Sequence, residues 1–261
     1  MDIPVYQVDA FADKPFAGNP AAVCPLDAWL PDATLQSIAL ENNLSETAFT
    51  VARGPGDYEL RWFTPKAEVD LCGHATLATA SVLFEQRGEA AAAIAFQTRS
   101  GELRVGRDGD LLVMDFPALP AEQVPVPEGL VDALGIEPVY FLRAVKNMAV
   151  LEREDQVRAI EPDFRYIAAM QGMGLIVTAP GDASDCASRY FAPHVGVDED
   201  PVTGSAHCTI VPYWAERLGK TDIHARQVSA RSGDLFCRML GERVEMAGRA
   251  VLVLEGTLKL P

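Results

Sequence analysis

Three blocks of this 261-residue chain occur twice in the same order, and that repetition limits the folds open to it. Arg61-Trp62-Phe63-Thr64-Pro65 returns 128 residues later as Arg189-Tyr190-Phe191-Ala192-Pro193, with an aromatic residue in second place both times. Gly73-His74-Ala75 returns as Gly204-Ser205-Ala206 at a spacing of 131, and Glu85 and Gly88 return as Glu216 and Gly219 at the same spacing. Arg99-Ser100-Gly101-Glu102-Leu103 meets Arg231-Ser232-Gly233-Asp234-Leu235 at a spacing of 132. Asn19 and Asn147, 128 apart, extend the match towards the start of each half. A period this long excludes a solenoid. It fits two similar domains packed face to face, residues 1–117 and 118–261. The proline-rich stretch 117–127 is the linker candidate.

Each repeat reads as strand, acidic turn, helix, then several strands. Hairpin signals at Gly101 and Asp108-Gly109 separate the later strands of the first repeat. The helix that opens at Gly73 carries Ala75, Leu77, Ala78, Ala80, Val82, Leu83 and Phe84 nearly all round, as a buried helix does. The fold class is therefore α+β: two pseudo-symmetric domains, each a curved, mostly antiparallel sheet or barrel wrapped around a central helix. The plainer alternative is an α+β layer with one covered face. Elsewhere, Val5 to Phe11 alternates as a strand. A helix follows from an Asp32 N-cap to Asn43, and another spans about Gln156 to Met170.

Composition narrows the function. No run of about 18 apolar residues is present, so no membrane span is expected. Met1 to Val5 does not read as a signal peptide. Five scattered cysteines point to reduced thiols in the cytoplasm. A net charge of −15 disfavours nucleic acid and anionic membranes as partners, and leaves any anionic substrate in need of local donors. Helix starts at Gly73 and Gly204 offer such donors through free N–H groups and the macrodipole.

The chemistry-bearing residues cluster near those starts. Glu46 lies in the small, apolar setting Leu44-Ser45-Glu46-Thr47-Ala48, and its counterpart in the second repeat falls near Leu175, a hydrocarbon. It reads either as a strand-end carboxylate in solvent or as an acid/base whose pKa desolvation raises. Asp200 before Pro201 reads either as an N-cap with Pro at the first helical position or as a site residue. Gly18-Asn19-Pro20 reads as a turn or as a site wall. Cys72, at a helix start that lowers a thiol pKa, reads as structural, base or nucleophile. A paired-thiol racemase is disfavoured because Thr203 holds the matched position. A Cys72–His74 dyad is disfavoured because positions i and i+2 do not share a helix face. There is no dinucleotide fingerprint and no phosphate loop. Cys72 with His74, and His207 with Cys208, are too sparse for a metal. His194 and His224 read as surface or edge residues. A site without cofactor or metal, with one carboxylate and two helix dipoles in an interdomain cleft, suits proton abstraction and return, which is isomerisation.

Several motifs together resemble the PhzF-like isomerases of phenazine biosynthesis, within the diaminopimelate-epimerase-like fold. They are Val8-Asp9-Ala10-Phe11, Phe16-Ala17-Gly18-Asn19-Pro20-Ala21-Ala22-Val23, Asn43-Leu44-Ser45-Glu46-Thr47-Ala48-Phe49, Leu71-Cys72-Gly73-His74-Ala75-Thr76 and Asp200-Pro201-Val202-Thr203-Gly204-Ser205-Ala206. The resemblance implies Glu46 as the catalytic carboxylate, with His74 and Asp200 as its catalytic companions. It implies Ser205, Gly73, Gly204 and Asn19 as binding residues for a small anionic substrate. It also implies no cofactor, a homodimer, and a last strand that can pack back on the first domain. A thiol-dependent epimerase using Cys72 and a non-catalytic small-acid or protein-binding member remain the alternatives.

Overall fold

The computed structural model describes residues 1–260. The chain divides into two compact units. One is Met1–Asp115 with the segment from Ala247 onward, and the other is Phe116–Met246. The proline-rich stretch at the start of the second unit is pinned to it. The Ala118 N–H donates to the Glu242 carbonyl at 2.9 Å, and the Leu119 N–H to the Cys208 carbonyl at 2.8 Å. No described helix is long and apolar enough to cross a membrane.

The first unit holds β1 (Asp2–Ala10), β2 (Asn19–Leu26), α1 (Asp32–Asn42), β3 (Glu46–Gly54), β4 (Asp57–Phe63), β5 (Glu68–Val69), α2 (Gly73–Glu85), β6 (Ala93–Thr98), β7 (Gly101–Asp108) and β8 (Leu111–Pro117), which runs out of the unit at its end. The C-terminal strand Ala250–Lys259 pairs antiparallel with β1. Two pairs are parallel, β2 with β3 and β4 with β6, and each is joined through a helix, as parallel neighbours require. The pairs β1 with β2, β3 with β4, β4 with β5, β6 with β7 and β7 with β8 are antiparallel. The sheet is not closed.

Helix α2 is buried from His74 to Ala80 and from Val82 to Phe84, and it meets β1, β2, β3, β7 and the C-terminal strand. That excludes a helix with one covered face. Burial of Leu77, Val82, Leu83 and Phe84 contributes about 1.5–3 kcal/mol each relative to exposure. A separate cluster of Ile3, Leu35, Ile38, Phe49 and Phe63 seats α1 on the sheet. The α1 cap differs from expectation. Pro31 is the N-cap, and the Asp32 carboxylate instead accepts from Arg61 at 2.9 Å. At the other end Asn43 adopts φ 48°, a left-handed stop that a short polar side chain tolerates.

The second unit repeats this order with β9 (Glu122–Val124), α3 (Leu130–Leu134), β10 (Tyr140–Arg143), β11 (Asn147–Val150), α4 (Glu154–Ala159), α5 (Phe164–Ala169), β12 (Leu175–Pro180), β13 (Cys186–Ala192), β14 (Val197–Asp200), α6 (Gly204–Leu218), β15 (Asp222–Gln227), β16 (Gly233–Leu240) and β17 (Arg243–Gly248), which runs on past the unit. Again two pairs are parallel, β11 with β12 and β13 with β15. Its core is built on Leu130, Phe141, Leu175, Val177, Ile167 and Phe191. The single helix expected over 156–170 is two short ones. Pro162 cannot continue the first, and the Asp163 carboxylate caps the second through the N–H groups of Arg165 and Tyr166.

Strand register fixes which residues correspond. Thr47 opposes Phe63 as Leu175 opposes Phe191, so Gly174 takes the place of Glu46. Ala21 opposes Glu46, whereas Asn147 opposes Leu175. Asn147 therefore matches Ala22 and not Asn19, despite the 128-residue spacing, and Lys146 matches Ala21. The repeat does not extend to Asn19.

Candidate functional site

Parallel pairing sets the site in the first unit. Because β2 and β3 run the same way, their first residues, Asn19 and Glu46, lie at one end of the sheet. The start of α2 reaches the same end. There His74 Nε2 stands 3.0 Å from Glu46 Oε2, with both side chains largely buried. The Asn19 amide nitrogen lies 3.2 Å from His74 Nδ1, and the Cys72 thiol 3.5 Å from that same nitrogen. The N–H groups of Gly73 and His74, in the first turn of α2, have no acceptor among the described residues. Glu46, His74, Asn19 and Gly73 are thus brought together.

The loop that delivers Asn19 is held from below. The buried Asp9 carboxylate accepts from the Phe16 N–H at 2.7 Å. Phe11 and Phe16 both adopt positive φ, and Gly18 does so at 64° against the Ala10 carbonyl. Asp9 was visible in the sequence only as part of the motif 8–11. Its burial under the loop had no sequence signal.

Protonation in the cluster differs from expectation in sign. Burial raises the Glu46 pKa, but the charge and hydrogen bond of His74, with a contribution from Cys72, outweigh it and hold the carboxyl below its ordinary value. Burial alone would also strip the His74 proton. Its acidic neighbours Cys72 and Glu46 hold the ring well above the ordinary imidazole value. Of these two, Cys72 stays a thiol at neutral pH, because burial and the Glu46 charge push it to about 11. The anion that retains the His74 proton is therefore Glu46. The Nε2 proton faces that carboxylate whichever charge the ring carries. Bare Nδ1 accepts from the Asn19 amide, and protonated Nδ1 has the Cys72 sulfur beside it.

The pH dependence follows with a definite sign. Glu46, depressed in the fold, stabilises above the ordinary carboxylate range, and that contribution is lost as pH falls through its lowered value. His74, raised in the fold, stabilises fully below pH 6.5, and that contribution is lost as pH rises through its raised value. In Glu46→Gln the carboxylate is gone while burial and the Cys72 contact remain, so the His74 midpoint should fall. NMR titration of the ring in both proteins measures this. An unchanged His74 midpoint would remove Glu46 as its counter-charge.

Cys72 is not within the helix. It is the extended N-cap residue, φ −146°, which is how its sulfur reaches the His74 ring although the two are i and i+2. Helical geometry keeps i and i+2 side chains apart only when both residues lie inside the helix. Folding also adds Glu46 to the pair. One ligand atom from each of Glu46, Cys72 and His74 lies within 4.8 Å of the others, a mixed oxygen, sulfur and nitrogen set that could hold a divalent ion. The sequence showed two of these donors and concealed the third.

In the second unit Asp200 ends β14 and is not a helix cap. Helix α6 begins at Gly204 with Thr203 as N-cap. The Thr203 hydroxyl donates to the Asp200 carboxylate at 2.5 Å. Gln227 ties this turn down, donating to the Asp200 carbonyl at 2.6 Å and accepting from the Thr203 N–H at 2.8 Å. Gly204 and the half-buried Ser205 form the first turn of α6, matching Gly73 and His74. His207 is fully buried, donates from Nδ1 to the Thr203 carbonyl at 2.8 Å, and is pushed by burial to about 4, so it is a neutral core residue. His224 pairs with Asp234 at 2.8 Å on a strand. Gln227 and Lys146 were not singled out from sequence, and Thr203 only as the residue matched to Cys72. Lys146 had one available signal, its place beside Asn147.

The chain matches the family model of phenazine biosynthesis-like proteins, PhzC-PhzF, over residues 8–256. It is 55% identical to an uncharacterized isomerase of Pseudomonas aeruginosa, over 260 residues and 100% of both chains. It is similar to the crystal structure of a PhzF-family protein from Enterococcus faecalis, at 47% identity and a TM-score of 0.98 over 100% of both chains. A hydroxyproline epimerase from Agrobacterium vitis superposes with a TM-score of 0.61 at 10% identity, over 98% of this chain and 92% of that one. This last likeness is one of fold alone, and with the others it gives the diaminopimelate-epimerase-like α+β class.

Proposed function

The chain belongs to the phenazine biosynthesis-like PhzC-PhzF family, and we propose that it is a cofactor-independent isomerase with Glu46 as its single acid/base. The observation that carries this reading is the buried ion pair of Glu46 and His74 at 3.0 Å, beside the open N–H groups of α2. Held as a carboxylate, Glu46 is a base. It takes a proton from a carbon of a small cyclic or carboxylated substrate, and the electron pair left on carbon delocalises into the adjacent unsaturation. The same carboxyl group then returns the proton to a different carbon, so the atoms are conserved and the product is an isomer. The His74 imidazolium stabilises the developing negative charge and favours regeneration of the carboxylate. Asn19 and the Gly73 N–H position the substrate. Asp200, Ser205 and the Gly204 N–H, from the second unit, complete the set that the family resemblance implies. The reading extends to a homodimer and to a reducing cytoplasm, on the resemblance and the five thiols.

The test is deuterium uptake from solvent, read by mass spectrometry across small cyclic and carboxylated metabolites, with wild type against Glu46→Gln. Full uptake by the Gln variant removes Glu46 from the role.

A thiol-dependent epimerase using Cys72 is the second reading, favoured by the sulfur's place beside His74. A pKa of about 11 opposes it, since at pH 8 roughly one thiol in a thousand would be ionised. Iodoacetamide at that pH should therefore label Cys72 far more slowly than the same cysteine in unfolded chain, as peptide mass spectrometry would register. Cys72→Ser should keep exchange within about tenfold of wild type. Rapid labelling with loss of exchange would favour the thiol mechanism.

A further inference from the structure

The two units carry different chemistry at one register position. Where the first has Ala21 opposite Glu46, the second has Lys146 and Gly174, each one residue ahead of the Asn147–Leu175 pair that opens its parallel ladder. Residues directly opposite on neighbouring strands share a sheet face. Lys146 therefore stands on the face that, in the first unit, presents Glu46 to the start of α2.

Lys146 is only 6% exposed. Its ammonium makes no hydrogen bond or ion pair among the described residues. Its one close partner is the ring of Tyr190, with Nζ 5.7 Å from the centroid. Tyr190 matches Trp62, and its hydroxyl is committed to the Met173 carbonyl. A lysine rarely gives up water without an acceptor, because an unpaired buried charge is costly. Burial accordingly lowers its pKa; the neighbouring Cys208, itself pushed by burial to about 11, stays a thiol at neutral pH, and the Asp200 carboxylate is the negative charge that opposes the shift. Cys208 lies on α6, so the ammonium faces that helix. No room remains for a carboxylate at the matched strand position. A Cβ on Gly174 would stand 2.5 Å from the Phe191 carbonyl and 2.9 Å from the Tyr190 hydroxyl. The second unit thus supplies a cation without a fixed counter-ion where the first supplies a base.

We propose that Lys146 is an anion-binding residue of the second unit that selects substrates bearing a carboxylate over neutral molecules of the same shape. The inference rests on the isomerase reading only in taking the molecule bound by the second unit to be the substrate of that reaction. A bound carboxylate supplies the acceptor that the ammonium lacks, and it does so in a chain whose net charge of −15 gives anions no long-range attraction. Lys146 is cast here as a specificity residue and takes no part in proton transfer.

The test uses the full chain with benzoate as probe and benzamide as its neutral isostere, by titration calorimetry. Wild type should prefer benzoate at least tenfold. Lys146→Gln and Lys146→Met should lose at least tenfold in benzoate affinity with benzamide unchanged, and Lys146→Arg should keep most of it. Neither neutral variant should melt below wild type, since each removes an uncompensated buried charge. If either fails to fold, the Lys146 side-chain titration, followed by NMR in wild type, still decides: benzoate should raise its midpoint, and benzamide should not. Glu46→Gln should bind benzoate within threefold of wild type, so loss of exchange in that variant and loss of binding at Lys146 are separate results. Absence of a benzoate preference in wild type, benzoate binding by Lys146→Gln equal to wild type, or a Lys146 midpoint indifferent to benzoate would each overturn the proposal.

Discussion

Glu46→Gln is expected to slow solvent-deuterium uptake about a thousandfold, within the range that a positioned acid/base contributes. That corresponds to about 4 kcal/mol of transition-state stabilisation. Glutamine keeps the size and polarity of the side chain but can neither accept a proton at the carbonyl oxygen with comparable basicity nor return one. The same substitution leaves the burial of His74 in place and removes its counter-charge, so the ring should lose its proton at lower pH than in wild type. Two defects then coincide, a missing base and an imidazole that holds its proton less firmly. His74→Asn separates them. It retains Glu46 but frees its carboxyl from the ring, leaving burial as the principal influence and raising its pKa. Its exchange rate should fall less than that of Glu46→Gln and should reach its maximum at higher pH. If His74→Asn instead loses as much as Glu46→Gln with an unshifted profile, the pair acts as one unit and the division of roles given above is wrong.

Gly18→Ala is expected to destabilise the protein by about 3 kcal/mol or more, a large effect for one methyl group. Two causes add. Gly18 sits at φ +64°, where an L side chain costs roughly 1–2 kcal/mol. In addition the new Cβ would lie 2.1 Å from the Ala10 carbonyl oxygen and 2.9 Å from the Ala12 Cβ, so backbone must move. The displaced backbone is the one that carries Asn19 to His74, so exchange should fall with stability. Gly88→Ala is the control. It has a similar φ, +69°, with nothing within 4 Å of the added carbon, and should cost only about 1 kcal/mol. Urea unfolding with an unchanged m-value measures both. Equal losses in the two variants would show that close approach at Gly18 contributes nothing.

The amino-acid sequence was sufficient for the architecture because the architecture rests on local and repeated signals. The recurrence of the Arg-aromatic-Phe, Gly-x-Ala and Arg-Ser-Gly blocks gave two alike units, and the all-round apolar surface of residues 75–84 gave a wrapped helix. Both follow from burial periodicity, which a chain carries in one dimension. The motifs also singled out Glu46, His74 and Asn19, which meet in space. One miss was local, since Pro162 between Glu161 and Asp163 splits the helix expected over 156–170. The other came from a distant neighbour, since pairing with Tyr190 makes Asp200 a strand end and removes the N-cap alternative.

Electrostatics was the part that tertiary structure alone decided. From sequence, Glu46 in apolar surroundings reads as a carboxyl with a raised pKa, because desolvation is the one influence that local composition reports. The fold sets an imidazole 28 residues away in sequence at 3.0 Å, and a charge at that distance reverses the sign. Lys146 shows the same limit from the other side. A lysine beside a turn reads as solvated, and only the packing of Tyr190 and α6 around it leaves an ammonium buried and without an acceptor. Hydrophobic burial is written along the chain residue by residue. A Coulomb interaction depends on the distance between two residues, and that distance exists only once the chain has folded.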